Sequence, residues 1–144
     1  MEESQIQEKI KQGALRTRLI VEIAGFPEEH ITHTLNLVKD KVAEIKGVDL
    51  IKADIREPKK ISERMWTGFV ELEALMDRLS TLMGICFDFM PSSVEILEPD
   101  TIREDAGYLS DVFNDLTAKL HQYDAVAKML RAKLALKEKE NKTK

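Results

Sequence analysis

The chain has 144 residues, of which 43% are hydrophobic and 33% charged, and its formal net charge is -4. These values are typical of one ordinary globular domain with an extension, or of two very small domains, with much exposed helix. The sequence has no run of about 18 apolar residues, which excludes a transmembrane helix, and its single cysteine, Cys86, excludes an internal disulfide or a thiolate cluster.

The first residues predict the location of the protein and its first element. Met1-Glu2-Glu3-Ser4 is acidic and polar, whereas a signal peptide begins with a basic segment followed by an apolar one. We therefore expect a cytoplasmic protein that does not associate with membranes. Residues 1–15 are predicted to be a short helical segment, with Ile6 and Ile10 on one face and Gly13 ending the helix.

Residues 16–98 show the apolar periodicities of four strands and two helices, in the order strand, helix, strand, strand, helix, strand. Two such split strand-helix-strand units form a ferredoxin-like antiparallel sheet with both helices on one face. The predicted fold class is therefore α+β, and the other sheet face requires cover from the N-terminal segment, the C-terminal helix or a second subunit. The predicted strands are 16–25, 48–56, 64–74 and 92–98, the predicted helices 27–45 and 75–90, and a turn is predicted at 57–60.

Residues 99–140 are predicted to form one long amphipathic helix, followed by a disordered tail at 141–144. Pro99 precedes the helix, and Thr101 and Glu104 have the spacing of a capping box. Apolar side chains then recur at alternating steps of four and three, the 3.5-residue repeat of a helix that buries one seam. The oligomer-interface residues predicted in this seam are Leu109, Phe113, Leu116, Leu120, Tyr123, Leu130 and Leu134.

This repeat is compatible with a coiled coil or with a helical hairpin. A hairpin would break near residues 121–124, with Asp124 capping its second helix, whereas the uninterrupted heptad phase favours one continuous helix. Val112 and Val126 lie beside the seam and widen the apolar stripe toward a bundle, or toward packing on the chain's own domain. We expect the helix to pair with a second copy of the chain or with another protein.

No catalytic or binding motif is found in the sequence. The six glycines are scattered singly, so no glycine-rich phosphate loop is present. His30 and His33 have a spacing that can hold a metal ion, but no further His or Cys accompanies them, and exposed first-turn histidines are the simpler interpretation. Cys86 lies in an apolar segment, as inert buried thiols do. We therefore expect no catalytic residues, no cofactor and no metal, which favours a non-enzymatic protein.

The leading hypothesis is an oligomeric scaffold or protein-interaction module that assembles through residues 101–136. As an alternative, the element order and the turn Gly25-Phe26-Pro27 resemble those of ACT domains, and this resemblance implies a regulatory domain that binds a small molecule such as an amino acid. A third hypothesis is a nucleic-acid-associated protein, because the segment from Ala125 onward carries seven Lys and Arg against two Glu. The acidic remainder of the chain repels phosphate and argues against nucleic acid as a partner.

Overall fold

A computed structural model of the chain describes residues 1–143. The chain divides into two compact units, Met1–Arg103 and Glu104–Lys144. The elements in chain order are α1 (Glu3–Lys11), β1 (Leu15–Gly25), α2 (Glu28–Glu44), β2 (Val48–Ile55), β3 (Lys59–Ser62), β4 (Met65–Met76), α3 (Leu79–Phe89), β5 (Ser93–Glu98) and α4 (Ala106–Thr143).

The strands of the first unit form one antiparallel sheet. Its order is β2-β4-β1-β5, and the short strand β3 pairs with the beginning of β4. The central pair β1 and β4 is in register along its whole length, from Leu15 opposite Met76 to Gly25 opposite Trp66. The predicted α+β fold is confirmed, and apart from β3 the strand order is that of a ferredoxin-like domain.

Alternating burial along β1 shows which face of the sheet carries the core. The side chains at every second position from Leu15 to Val21 are buried, whereas those between them are only half-buried. Thr17 is buried in this series, and its hydroxyl donates a hydrogen bond of 3.0 Å to the carbonyl oxygen of Ala74. The buried core of this face combines both central strands with α2 and α3 and comprises Leu15, Leu19, Val21, Ile31, Leu35, Val42, Val48, Val70, Leu72, Ala74, Met76, Leu82 and Ile85.

The first helix covers one end of the opposite face of the sheet. Ile6 of α1 is 2% exposed and forms a second apolar cluster with Ala14 and Leu75, flanked by Ile10 and Ile51. Leu75 belongs to this cluster because it alternates with Ala74 and Met76, which face the main core. The N-terminal segment, one of the three alternatives predicted from the sequence, therefore covers part of this face.

The edge strand β5 is less well covered. Val94 and Ile96 lie opposite Leu19 and Thr17 of β1 and so belong to the core-facing side of the sheet. They are nevertheless 44% and 37% exposed. Val94 and Ile96 therefore lie on the inner side of the sheet without the full burial that such a position usually brings.

Two predicted boundaries in the first unit are wrong. The predicted turn includes Lys59 and Lys60, but both belong to β3. Pro58 comes just before this strand, so its lack of an N–H group removes no hydrogen bond from the sheet. Leu75 belongs to β4 rather than to the following helix. The ladder with β1 continues to Met76, and the next N–H, that of Asp77, donates to the carbonyl oxygen of Gly47 at 2.8 Å.

The second unit contains one continuous helix, α4, of 38 residues. It does not break near residues 121–124, so the hairpin alternative is not found. It begins at Ala106 rather than at Thr101, because the carbonyl of Asp105 accepts the first hydrogen bond of the helix, from the N–H of Leu109, at 3.0 Å.

The predicted disordered tail, residues 141–144, lies partly within the described residues. Residues 141–143 are helical, and Lys144 lies outside the described residues. No glycine or proline follows Gly107, so nothing in the sequence ends the helix at Glu140. In addition, the hydroxyl of Thr143 donates to the carbonyl oxygens of Glu140 and Lys139, at 2.9 and 3.2 Å.

A candidate interface on the C-terminal helix

The predicted interface residues lie on one side of α4. An α-helix advances about 100° per residue, so the positions from Leu109 to Leu134 fall within an arc of about 100° around the axis. At about 1.5 Å per residue, the 38-residue helix is roughly 57 Å long, and the seam occupies about two-thirds of it. The structure therefore brings all seven predicted residues onto one face, as a single stripe.

This stripe is largely open to solvent. Phe113 and Leu134 are 62% and 60% exposed, and Leu120, Tyr123 and Leu130 are each about half exposed, whereas Leu109 and Leu116 are half-buried. Of the α4 residues that the structure describes, none is buried. Contiguous exposed apolar surface of this kind makes the stripe a candidate site for binding protein or another apolar partner.

The heptad positions define what lies in the seam and what flanks it. The seam positions a are Phe113, Leu120, Ala127 and Leu134, and the seam positions d are Leu109, Leu116, Tyr123 and Leu130. On one flank, the g positions are Val112, Lys119, Val126 and Lys133; on the other, the e positions are Thr117, Asp124, Arg131 and Glu138. Charged side chains at e and g contact the partner helix in coiled coils and select its orientation.

Local interactions within α4 stabilise the helix only weakly. The hydroxyls of Ser110 and Thr117 donate to the carbonyl oxygens of Ala106 and Phe113, four residues earlier, at 2.9 Å each. Lys128 and Asp124 form an ion pair of 2.9 Å one turn apart. Each such contact contributes only a few tenths of a kcal/mol, so most of the stability of a long helix must come from packing its apolar face.

The outer face of the sheet is a second candidate site, and it is strongly charged. Arg16 of β1 reaches three elements: its Nη1 is 2.8 Å from Oε1 of Glu3 and 3.0 Å from Oε2 of Glu98, and its Nε is 3.2 Å from Oε1 of Glu73. Hydrogen bonds from Gln7 and then from Arg16 hold the pKa of Glu3 below its usual value, and the hydrogen bond to Glu3 raises the pKa of Arg16.

Charges also balance in the cavity beside this cluster. Arg18 is 3.0 Å from Glu71 and 3.1 Å from Glu95, and Arg56 is 3.0 Å from Asp54. The cavity has a volume of about 200 Å³ and is lined by three cations and three carboxylates, namely Arg18, Lys52, Arg56, Asp54, Glu71 and Glu73. Because these charges sum to zero, the cavity has no net attraction for an anion or a cation.

The remaining reactive side chains are dispersed. His30 and His33 are exposed on α2, and His121 is exposed on α4. Cys86 is half-buried on α3, and this burial raises the pKa of its thiol. Among residues 1–143, no three His, Cys, Asp or Glu side chains are grouped so that they could hold a metal ion. In the same range, no helix is both long and apolar enough to cross a bilayer.

Sequence reasoning missed the Arg16 cluster, although a signal for it exists. Arg16 and Arg18 are two residues apart on β1, and so are Glu71 and Glu73 on β4, which places each pair on one face of its strand. Opposite charges at matching alternate positions on paired strands predict cross-strand ion pairs. Finding them requires the register of the two strands, which the sequence alone does not supply.

Comparison with known proteins identifies a family. No curated protein and no solved structure matches the chain. The MJ0538 family profile matches residues 33–143, which extend from within α2 to the end of α4 and make up more than half of the sequence. The match includes the long helix and its seam as well as most of the sheet. The chain therefore belongs to the MJ0538 family.

Proposed function

We propose that the chain is a cytoplasmic, non-enzymatic scaffold protein that assembles into oligomers by pairing α4 with α4 of a second copy. The single observation that carries this proposal is the solvent-exposed seam from Leu109 to Leu134 on one continuous helix. A helix of this length gains most of its stability from packing an apolar face. A second α4 offers a stripe of the same length and the same apolar character.

The seam can be tested by placing charge in it. We expect the double variant Leu116→Lys and Leu120→Lys to be monomeric where the natural chain is a multimer, because association would bury lysines without partners. The measurement is the absolute mass in solution by light scattering, with circular dichroism to verify that α4 remains helical.

A matched control keeps the number of new lysines constant. Ala118 and Ala125 lie about 160–180° around the helix from Leu109, outside the seam, and both are exposed. The variant Ala118→Lys and Ala125→Lys should retain the mass of the natural chain. A monomeric natural chain, or a seam variant of unchanged mass, would contradict the proposal.

A second candidate function is a small-molecule-binding regulatory domain of the ACT type. The ferredoxin-like strand order of the first unit favours it. A ligand that binds only the native state raises the melting temperature, and the increase grows with the ratio of the ligand concentration to its dissociation constant. Thermal denaturation across a panel of amino acids and nucleotides therefore distinguishes the two functions, since a scaffold should show no ligand-specific increase.

A further inference from the structure

We infer that two copies of α4 pair in parallel and in register, with Lys119 of one helix beside Asp124 of the other and Lys133 beside Glu138. This inference rests on the proposed function, because it requires that the partner of α4 is a second copy of the chain. It adds an orientation and a register, both of which derive from the charges that flank the seam.

The first argument is the spacing within each charge pair. Lys119 and Asp124 are five residues apart, and so are Lys133 and Glu138. Positions five apart are about 140° apart around a helix and lie on opposite flanks of the seam, whereas side chains that contact each other are three or four apart. Asp124 accordingly pairs with Lys128 in its own helix. The five-residue spacing therefore does not stabilise a single helix.

The second argument is the geometry of a coiled coil. In a parallel pair, the g position of one helix lies beside the e position five residues later on its partner. Lys119 and Lys133, the two lysines at g positions, face Asp124 and Glu138 at those e positions of the partner helix. The other two g positions beside the seam are Val112 and Val126, so no like charges oppose each other between these g positions and the e positions that they face. Two-fold symmetry doubles the two opposite-charge contacts to four.

The charges at the g positions stabilise an antiparallel pair less than a parallel one. There g positions face g positions, and complete overlap of the two seams places Lys119 near Val126 of the second copy and Lys133 near its Val112. No opposite charges meet at the g positions in that arrangement. A parallel pair does place the two basic helix ends side by side, and Lys137, at the d position that follows Leu130, faces its copy there. This repulsion lies beyond the end of the apolar seam at Leu134. Lys139 and Lys142 lie at heptad positions f and b, away from the seam, where salt screens charges beyond about 8–10 Å.

Distances between spin labels test the orientation directly. In full-length protein carrying Cys86→Ala, one cysteine is introduced at Asp111, Ala118 or Lys139, all at heptad position f, and is spin-labelled. Parallel helices place the two labels at equal height, so pulsed electron paramagnetic resonance should give similar distances at all three sites. Complete antiparallel overlap instead separates the two labels along the axis by about 30 Å at 111, 10 Å at 118 and 50 Å at 139.

Each outcome has one interpretation. Similar distances at the three sites support the inference, provided that they disappear when labelled chains are diluted with an excess of unlabelled ones. Unequal distances with a minimum at 118 overturn the parallel orientation but leave the proposed self-association intact. A monomeric protein with no distance between labels overturns both.

A charge exchange tests the register independently. Lys133→Glu should weaken association by roughly three- to tenfold, because two ion pairs per dimer become repulsive contacts. Glu138→Lys should weaken it similarly, and the double exchange should restore the dissociation constant, measured by sedimentation equilibrium. Because these residues do not contact each other within one helix, restoration requires a contact between chains. Single variants with the affinity of the natural chain, or a double variant that remains weak, would overturn the register.

Discussion

Arg16 connects three parts of the first unit through one guanidinium group. Its side chain is 17% exposed and binds Glu3 of α1, Glu73 of β4 and Glu98 of β5. Without the cation, three carboxylates would remain close together and each would lose its ion pair with Arg16. This makes Arg16 more important for stability than an ordinary surface arginine.

We expect Arg16→Gln to lower the free energy of unfolding by about 1–2 kcal/mol at pH 7. The deficit should shrink as the pH falls. The lowered pKa of Glu3 in the folded chain means that its contribution to stability is full above the usual value of 4.5 and is lost as the pH falls through the lowered value. Urea denaturation at pH 7 and pH 4 measures both effects.

The control for this prediction is Arg18→Gln. Arg18 also forms two ion pairs, but its side chain is 43% exposed, so the expected loss is about 0.5 kcal/mol. Equal losses for the two variants, or a deficit in Arg16→Gln that grows in acid, would contradict this account of the cluster.

Gly68 is required by the close approach of α2 to the sheet. A Cβ atom at this position would lie 2.7 Å from Cγ2 of Ile31 and 3.2 Å from Cδ1 of Leu35, and both side chains are fully buried. Gly68→Ala should therefore cost about 1–3 kcal/mol through overpacking. At Gly84, inside α3, a Cβ meets nothing within 4 Å, so Gly84→Ala should stabilise by up to about 1 kcal/mol. Opposite shifts of the urea midpoint are the expected result.

At the scale of elements, α1 depends on the sheet for its stability. It has only nine residues, too few to be stable alone in water, and Ile6 is its buried contact with Ala14 and Leu75. We expect Ile6→Ala to cost about 2–4 kcal/mol, and Ile10→Ala, at a half-buried position, to cost less. Hydrogen exchange of the α1 amides should accelerate strongly in the first variant only, and equal rates in both would contradict this account.

The elements were largely predictable because their periodicities are long and regular. The eleven residues of β1 alternate in burial, and α2 buries Ile31, Leu35 and Val42 at helical spacing, so sequence reasoning placed both elements within one or two residues. Short features were harder to place. The four residues of β3 are all exposed and carry no apolar alternation, and Leu75 suits a strand and a helix equally until its partner Arg16 is known.

At the scale of the whole molecule, the division after Arg103 predicts that the two units can be separated. We expect a chain ending at Arg103 to be folded and monomeric, and the full chain to be multimeric, because the proposed assembly surface lies entirely on α4. Light scattering gives both masses, and near-ultraviolet circular dichroism of Trp66 reports whether the sheet is intact. A multimeric truncated chain would place the assembly surface in the first unit.

The candidate site, like the elements, could be predicted from the sequence where its pattern is regular and local. The seam on α4 could be derived from the sequence because a heptad repeat is local: each residue needs only its neighbours three and four positions away. The ion pairs of Arg16 join residues up to 82 positions apart, and such contacts depend on strand register. In the proposed function the seam binds another chain, and the pattern of the seam indicates the chemistry of such a partner but not its identity.

The exposed side chains of β5 have a consequence for how the sheet could grow. The edge formed by β2 and β3 carries Lys52, Lys59 and Lys60, all exposed, and lysines on an edge discourage pairing with another strand. Glu95 and Glu98 of β5 instead form ion pairs with Arg18 and Arg16, while the apolar side chains of this strand remain accessible. An incoming peptide strand would therefore add at β5, and a destabilised chain would begin to aggregate there.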